Sequence, residues 1–277
     1  MQNVPQSAII TRPHRPTCVA SQRRARRSAA GRLLVASLLV FAMASGRAAG
    51  PGRDSADQSA APLPDYAAII ASPIRTDADR RDDERRRPLE FLRFAQVRAG
   101  MNVLDVSAGG GYTTQLLALA VGPKGNVWAQ TPKPRESFEK RLTAHPQANI
   151  HTLVRPFDDP YPADAPRLDL ITFILNYHDV ANTPVDRAVM NKRLFEALRP
   201  GGHLVLIDHA AAKGSGLRDT KTLHRIDEDV VINELKQAGF VLEEHSDFLQ
   251  NRDDPHTQAF FDMNGPTDRF ALRWVRP

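Results

Sequence analysis

One stretch, Val103 to Ala120, constrains the fold more than any other part of the sequence. It reads VLDVSAGGGYTTQLLALA: an apolar strand-like run, then three consecutive glycines, then an amphipathic helix. A strand that turns through glycines directly into a helix is typical of a β-α-β unit. Such units build parallel sheets with helices on both faces. The stretch therefore predicts an α/β fold with a doubly wound, mostly parallel sheet.

Strand-like and helix-like segments alternate after this point, which supports the same fold class. A final pair of strands, 241–250 and 268–277, is predicted to be antiparallel and to complete a seven-stranded sheet. Ahead of the sheet we expect a short helix at 65–72 and a charged helical segment at 77–97, interrupted near Pro88. The other predicted strands are 102–106, 125–130, 148–154, 167–176 and 203–210, and the other predicted helices are 112–120, 135–145, 185–202 and 227–240.

The first 49 residues have the composition of a secretory signal. They contain eight arginines and no lysine or acid, and Leu33 to Ala44 is an apolar run of 12 residues, broken only by Ser37 and followed by small residues. Twelve helical residues reach only about 18 Å, too short to cross the ~30 Å core of a bilayer. We therefore predict a leader at 1–49 and export, with the periplasm as the expected compartment. There are two alternatives. The segment is either an uncleaved anchor or a basic tail that results from a misplaced start, and in the second case the protein would be cytoplasmic.

The remaining chain divides into a linker at 50–64 and one domain at 65–277, with an N-terminal helical cap at 65–99. Because the leader's eight arginines exceed the total charge of +5, the rest of the chain carries a net charge of −3. A mildly acidic body removes the electrostatic reason to expect nucleic-acid binding. The single cysteine, Cys18, lies within the leader, so the domain has neither a disulfide nor a thiol nucleophile.

The glycine turn is the first candidate site. In open α/β sheets, ligands bind at the carboxyl ends of the strands. Gly109 and Gly111 let a ligand approach the backbone closely, and the helix that begins near Tyr112 presents free N–H groups to an anion. A plain tight turn is the alternative. The dinucleotide pattern G-x-G-x-x-G fits poorly, because Thr114 stands where its third glycine belongs.

Several motifs together resemble class I S-adenosylmethionine-dependent methyltransferases. They are VLDVSAGGGYTTQLLA, then FDDP after the third strand, LRPGGHLVLIDH around the fifth, and the closing antiparallel pair. The resemblance covers roughly residues 85–277 and implies a Rossmann-like methyltransferase fold. NYHD (176–179), DH (208–209) and LHRID (223–227) resemble, more narrowly, a bacterial group of predicted methyltransferases that often carry export signals and have no settled substrate.

The resemblance implies S-adenosylmethionine as cofactor and assigns residues to it. Asp105 would orient the glycine loop and the methionine amino group, the segment 107–111 would line the methionine and ribose, and Asp158 would meet the adenine. Two departures stand out: Ser107 replaces the first glycine of the turn, and Gln130 stands near the position where such enzymes hold the ribose with an acid. The full set of implied cofactor residues is Asp105, Ser107, Gly109, Gly111, Tyr112, Gln130, Asp158, Asn176 and Tyr177.

The candidate catalytic residues follow the fourth and fifth strands. His178 would act as base or position the acceptor, with Asp179 orienting it, and His209 lies on the same edge. A structural role for Asp179 as a helix cap is the alternative. A metal is also conceivable, but no ligand pair has tight spacing, and we expect none. The residues considered for a metal are His178, Asp179, Asp208, His209, His224 and Asp227.

Three functions remain open from the sequence. The first is a methyltransferase for an unidentified small-molecule or other acceptor. The second is an inactive, methyltransferase-like binding module in the periplasm, favoured by export and by Gln130. Nicotinamide-linked oxidoreduction is the third and fits the glycine turn least. RRRP (85–88) is either a solvated face or a contact for an anionic substrate, and 251–270 is either a substrate lid or a surface hairpin. The methyl acceptor and the oligomeric state are not readable from the sequence.

Overall fold

The structure, a computed structural model, describes residues 62–277. The predicted leader and nearly all of the predicted linker lie outside the described residues. The helices are α1 (Tyr66–Ile70), α2 (Asp77–Arg86), α3 (Pro88–Ala95), α4 (Tyr112–Val121), α5 (Glu136–Ala144), α6 (Tyr177–Val180), α7 (Arg187–Ala197) and α8 (Glu228–Ala238). The strands are β1 (Asn102–Val106), β2 (Asn126–Thr131), β3 (Ile150–Val154), β4 (Leu168–Ile174), β5 (Leu198–His209), β6 (Val241–Ser246) and β7 (Arg269–Val275).

The seven strands form one sheet in the order β3-β2-β1-β4-β5-β7-β6. The first five pair in parallel, whereas β7 runs antiparallel to both β5 and β6. The predicted fold class, a doubly wound and mostly parallel sheet with a C-terminal antiparallel pair, is confirmed. The strand order reverses between β1 and β4, so the carboxyl ends of these two strands diverge and leave a crevice there.

The central strands lie in the core because helices cover both faces of the sheet. All but the last residue of β4 are buried, and the strand is almost entirely apolar, as a central parallel strand must be. One face packs against α7 and α8, and the other packs against α3 and α4. Trp274 of β7 is fully buried.

The boundary between α7 and β5 corrects one prediction. The sequence predicted a helix to residue 202, but α7 ends at Ala197 and β5 begins at Leu198. Pairing across the sheet decides the matter: Leu198 pairs with Leu168, and the register shifts before the next pair. Gly201 and Gly202 bond to the backbone of Arg276. These contacts recruit the RPGG segment into the strand, and Pro200 falls in the irregular part, where a missing N–H is tolerated.

The predicted break in the N-terminal cap is present. Helix α2 starts with a capping box, in which Thr76 and Asp79 satisfy each other's backbone N–H groups. It ends at Arg86, and the left-handed backbone of the next residue, Arg87 (φ 47°), lets α3 start anew at Pro88. No helix among residues 62–277 has the length and apolar character needed to cross a membrane.

Candidate functional site

A cavity of about 180 Å³ opens at the point where the strand order reverses. The loop after β1 forms one side of it, and the end of β4 forms the other. Arg86 reaches it from α2, and Arg135 reaches it from the segment between β2 and α5. The lining residues are Arg86, Asp105, Ser107, Ala108, Gly109, Gly110, Tyr112, Thr113, Arg135, Ile174, Leu175 and Asn176.

The glycine turn owes its shape to left-handed backbone at three residues. Ser107, Gly109 and Gly111 have φ values of 58°, 57° and 83°. Gly111 is also crowded, because a Cβ on it would lie 2.5 Å from the ring of Phe138 on α5. Only glycine suits that position, whereas Ser107 adopts a conformation that disfavours side chains. The turn leads directly into α4, whose first residues, Tyr112 and Thr113, line the cavity.

Asp105 is a buried carboxylate that lines the cavity. The hydroxyls of Thr114 and Thr172 donate to its two oxygens at 2.6 and 2.8 Å. Burial raises the pKa of Asp105 to about 6, because the two hydroxyl donors and the positive charge of Arg86 compensate only in part. A ligand ammonium group at this carboxylate would restore its charge.

Gln130 lies near the end of β2, beside the glycine turn. Its side chain is buried and satisfied within the protein: Ser107 N donates to its Oε1 at 2.9 Å, and its Nε2 donates to the carbonyl of Arg155 at 2.6 Å. It does not line the cavity, and its predicted contact with the cofactor stays a prediction. The amide instead fastens the left-handed Ser107 to the end of β2, and we assign it a structural role in the turn.

An ion pair that the sequence did not point to holds the glycine turn to the cap. Arg141 on α5 donates to the carbonyl of Gly110 at 2.7 Å and to both carboxylate oxygens of Asp79 on α2. Burial raises the pKa of Asp79, but the hydrogen bonds from Arg141 and Thr76 lower it by more, so that the pKa is about 2. The cap and the turn are therefore joined through one guanidinium group, which helps to close that side of the cavity.

Arg86 is the member of the RRRP segment that reaches the cavity. Its guanidinium lies 4.7 Å from the ring centre of Tyr112, and the Tyr112 hydroxyl donates to Asp83 at 2.6 Å. Burial and the neighbouring Asp83 carboxylate raise the pKa of Tyr112 well above its usual value. Tyr112 therefore remains a neutral wall of the cavity, and Arg86 remains a cation beside it.

The turn after β4 is strained and positions three polar residues. Leu175 has a left-handed backbone (φ 56°), which is unusual for a branched residue and typical of functional turns. Asn176, which follows it, lines the cavity and donates from its amide to Asp179 Oδ2 at 3.0 Å. Tyr177 points the other way: it is fully buried, with its hydroxyl bonded to Glu234 and Asn191. Tyr177 does not line the cavity, and its predicted place beside the methyl group stays a prediction.

His178 lies behind Asn176, buried to 1% exposure. Its Nδ1 is 2.7 Å from Oδ1 of Asp208, and its backbone N donates to the other oxygen of that carboxylate at 2.8 Å. Burial lowers the pKa of His178, but the charge of Asp208 and the contacts with Asp179 outweigh burial and raise it to about 10. The side chain does not line the cavity, so the geometry gives no support to its predicted role as a base.

His209 occupies a different environment from His178. It is buried, its Nδ1 lies 2.7 Å from the hydroxyl of Thr267, and its ring stacks on Phe260 at 4.6 Å. Burial, together with Arg269 and His178, lowers the pKa of His209 to about 2, so it is neutral. It does not line the cavity either, which leaves its predicted catalytic role without a contact to the ligand.

His224 completes a group that the sequence considered and set aside. Its Nδ1 lies 3.0 Å from Oδ1 of Asp179, and its ring stands 5.5 Å from that of His178. The segment 251–268 covers this group as a loop with one short 3₁₀ helix, Phe260–Asp262, rather than as a hairpin of its own. We call His178, Asp179, Asp208, His209 and His224 the histidine cluster.

Arg225, also missed from the sequence, holds that loop in place. It is fully buried, pairs with Asp254 through two nitrogens at 2.8 and 3.1 Å, and donates to the carbonyl of Gln258. Nothing in the local pattern at Arg225 distinguishes it from a surface arginine, because its partner lies 29 residues away.

Comparison with known proteins gives the family. The family profile of protein-L-isoaspartate(D-aspartate) O-methyltransferase (PCMT) matches residues 87–244, more than half of the chain. The chain belongs to this family. Two curated relatives, both named protein-L-isoaspartate O-methyltransferase, come from Ignicoccus hospitalis and Pyrococcus horikoshii. They are 28% identical over 153 residues and 27% identical over 118 residues. These matches span 54% and 42% of this chain, and 66% and 48% of the relatives' own length, which is less than two thirds.

A solved structure supports the fold assignment of this PCMT family member. A SAM-dependent methyltransferase from Aquifex aeolicus superposes with a TM-score of 0.53 at 18% identity, covering 77% of this chain and 99% of that one. At this identity the likeness speaks for the fold alone. The predicted membership of the class I S-adenosylmethionine-dependent methyltransferases is confirmed, and S-adenosylmethionine is the cofactor of this family member.

The cavity fits the methionine half of this cofactor. Asp105 would offer a carboxylate to the amino group, and the glycine turn leaves room for a ligand against the backbone. The ribose half has no acid from β2, in agreement with the sequence. Asp158 is half-buried in the loop after β3 and does not line the cavity, so its predicted contact with the adenine stays a prediction.

Proposed function

We propose that this protein is an S-adenosylmethionine-dependent O-methyltransferase whose acceptor is a carboxylate. The names of the two curated relatives support a carboxylate, because isoaspartate ends in one. The observation that carries the proposal is the composition of the cavity at the β1–β4 crevice, which joins a ligand-admitting turn to two arginines.

The protonation states of the lining residues favour an acceptor that is already ionised. Asp105 is held by two hydroxyl donors, and Tyr112 keeps its proton. Within the described part of the chain, the cavity therefore offers no free base to take a proton from a hydroxyl or an ammonium group. A carboxylate, with an ordinary pKa near 4, needs none. Arg86 and Arg135 attract such an anion to the cavity.

Each part of the site then has one task. Bound S-adenosylmethionine supplies an electrophilic methyl group on its sulfonium. Asp105 binds the amino group, and the N–H groups at the start of α4 face the methionine carboxylate. The apolar Ile174 and Leu175 exclude water from the reacting end, and Asn176 offers an amide to the acceptor. Holding the acceptor in line with the methyl group is the main contribution of the protein.

An inactive binding module is the second candidate, and the internal bonding of the Gln130 amide favours it. A nucleotide held without an acid on its ribose binds less tightly, by roughly 1–2 kcal/mol. We also propose, from the composition of residues 1–49, that the protein is exported to the periplasm. Fractionation of the native cells checks this part separately.

Methyl-labelled S-adenosylmethionine and an isoaspartyl peptide test the proposed chemistry. A carboxyl methyl ester releases labelled methanol in mild base, whereas methyl ethers and methylamines do not. We expect base-labile label in the peptide with the wild-type chain and at least 100-fold less with Asp105→Ala. Asp164→Asn, a change at an exposed carboxylate, serves as the matched control. Base-stable label contradicts the carboxylate acceptor, and cofactor binding without any transfer supports the inactive module.

A further inference from the structure

One buried nitrogen in the histidine cluster has no hydrogen-bond partner. It is Nε2 of His178, on a side chain exposed by only 2%. It lies 3.3 Å from Asp179 Oδ1 without the geometry of a hydrogen bond, and it must release its proton before it can bind a metal ion. A buried polar atom left without a partner is unfavourable by about 1–3 kcal/mol, so such atoms call for an explanation.

Asp179 and His224 each place a further potential ligand atom beside His178. The Nδ1 atom of His224 is 3.0 Å from Asp179 Oδ1, and the three atoms all lie within 4.8 Å of one another. Two ligands each about 2.1 Å from a zinc ion stand about 3.4 Å apart in a tetrahedral site. The separations of 3.3 and 3.0 Å from Asp179 Oδ1 to the two histidines are already close to this value, so the group needs only small side-chain movements to bind one ion. The side chains of His224 and Asp179 are 33% and 42% exposed, which leaves a path from solvent.

The neighbours of these ligands orient them as in known metal sites. Metal-binding histidines commonly bond through their other nitrogen to a carboxylate, and Asp208 holds Nδ1 of His178 in this way at 2.7 Å. The second oxygen of Asp179 is held by the amide of Asn176, which turns Oδ1 toward the two histidines. Among the hydrogen bonds of the described residues, no lysine or arginine donates to Asp179 or Asp208.

We propose that His178, Asp179 and His224 form a binding site for one divalent transition-metal ion. Two imidazoles and one carboxylate suit zinc and its neighbours in the first row better than magnesium or calcium. Three protein ligands leave at least one position for an oxygen ligand, either water or an anion. The site is independent of the proposed carboxylate acceptor, which needs no metal, and it touches the cavity only through Asn176.

Equilibrium dialysis of the untagged chain against zinc chloride, with metal measured by mass spectrometry, tests the proposal. We expect about one zinc per chain, and at least a 100-fold weaker affinity in His224→Ala and in Asp179→Asn. His256→Ala removes another half-exposed histidine that is paired with an aspartate, Asp268, and should leave zinc binding unchanged. Circular dichroism of each variant confirms that it is folded.

Cobalt gives a second readout, since a four-coordinate Co²⁺ site absorbs strongly in the visible range. We expect this absorption in the wild-type chain and its loss in His224→Ala. Wild-type chain that binds no zinc at 100 µM, or binds equally well in all three variants, overturns the proposal. Because neither assay contains S-adenosylmethionine, this failure is distinct from failure of the proposed methyl transfer.

Discussion

The cofactor cavity and the histidine cluster lie on the same edge of the sheet but are built in different ways. One wall of the cavity is formed largely by backbone within a single stretch, 105–113, which holds three left-handed residues, the start of α4 and one carboxylate. The cluster is formed by side chains from the segment after β4, the end of β5 and the segment after β5. The loop 251–268 covers it. Two kinds of site thus share one edge of the sheet, and changes to the chain should separate them.

The largest expected effect comes from Arg225, on the cluster side. Arg225→Met leaves Asp254 buried without its cation, and removing one partner of a buried pair typically lowers the free energy of unfolding by about 3–5 kcal/mol. Urea denaturation measures this loss. Arg218→Met, at a pair whose arginine is 70% exposed, should lower stability by less than about 1 kcal/mol.

The same Arg225 variant tests whether the two sites are separate. S-adenosylmethionine affinity of its folded fraction, measured by calorimetry, should stay within about twofold of the wild type. A loss of affinity much larger than that would join the two regions into one site and remove the distinction drawn above.

Gly111→Ala has the next largest expected effect, on the cavity side. The new Cβ meets Phe138 at 2.5 Å, and the residue must keep a φ of 83°. Left-handed strain of about 1–2 kcal/mol and overpacking of about 1–3 kcal/mol together predict a loss of roughly 2–5 kcal/mol in unfolding free energy. Gly265→Ala, in open space, is the control. If Gly111→Ala unfolds at the same urea concentration as the wild type, the turn is not held as described.

A medium effect is expected from pH. The pKa of Asp105 is raised to about 6, so its carboxylate gains a proton as pH falls through that value. The affinity for the ammonium group of S-adenosylmethionine should therefore fall about tenfold from pH 7 to pH 5. Titration calorimetry across this range measures the change. In Asp105→Asn the affinity should be low and flat over the same range, and a persisting slope would assign the titration to another group.

The smallest effect is a gain. Ser107→Gly replaces a residue at φ 58° with one that accepts that angle, which relieves about 1–2 kcal/mol but adds some entropy to the unfolded chain. A net stabilisation of about 0.5–1 kcal/mol is expected in thermal denaturation. An unchanged or lower midpoint would mean that the serine hydroxyl contributes a bond that compensates the strain.

The two sites also differ in how far the sequence predicts them. The glycine turn is local, and three consecutive glycines after an apolar strand limit the backbone to few shapes, so its position and the sheet around it were predictable. The orientation of Gln130 was not, because it depends on Arg155, which lies 25 residues away. The contact of His224 with Asp179 spans 45 residues, and no spacing rule reports such a meeting. The end of α7 was predicted too late because strand pairing overrides the local helical pattern there.

The end of β2 carries Gln130 where a carboxylate could hold the sugar of a nucleotide. The Gln130 amide is bound within the protein and does not take over that role. A site that grips a sugar through a buried acceptor rejects deoxy analogues strongly, since loss of the hydroxyl leaves that acceptor unpaired. Here there is no such acceptor at β2 to be left unpaired. The chain should therefore discriminate weakly between ribose and deoxyribose forms of its nucleotide, and selectivity should reside in the amino-acid end.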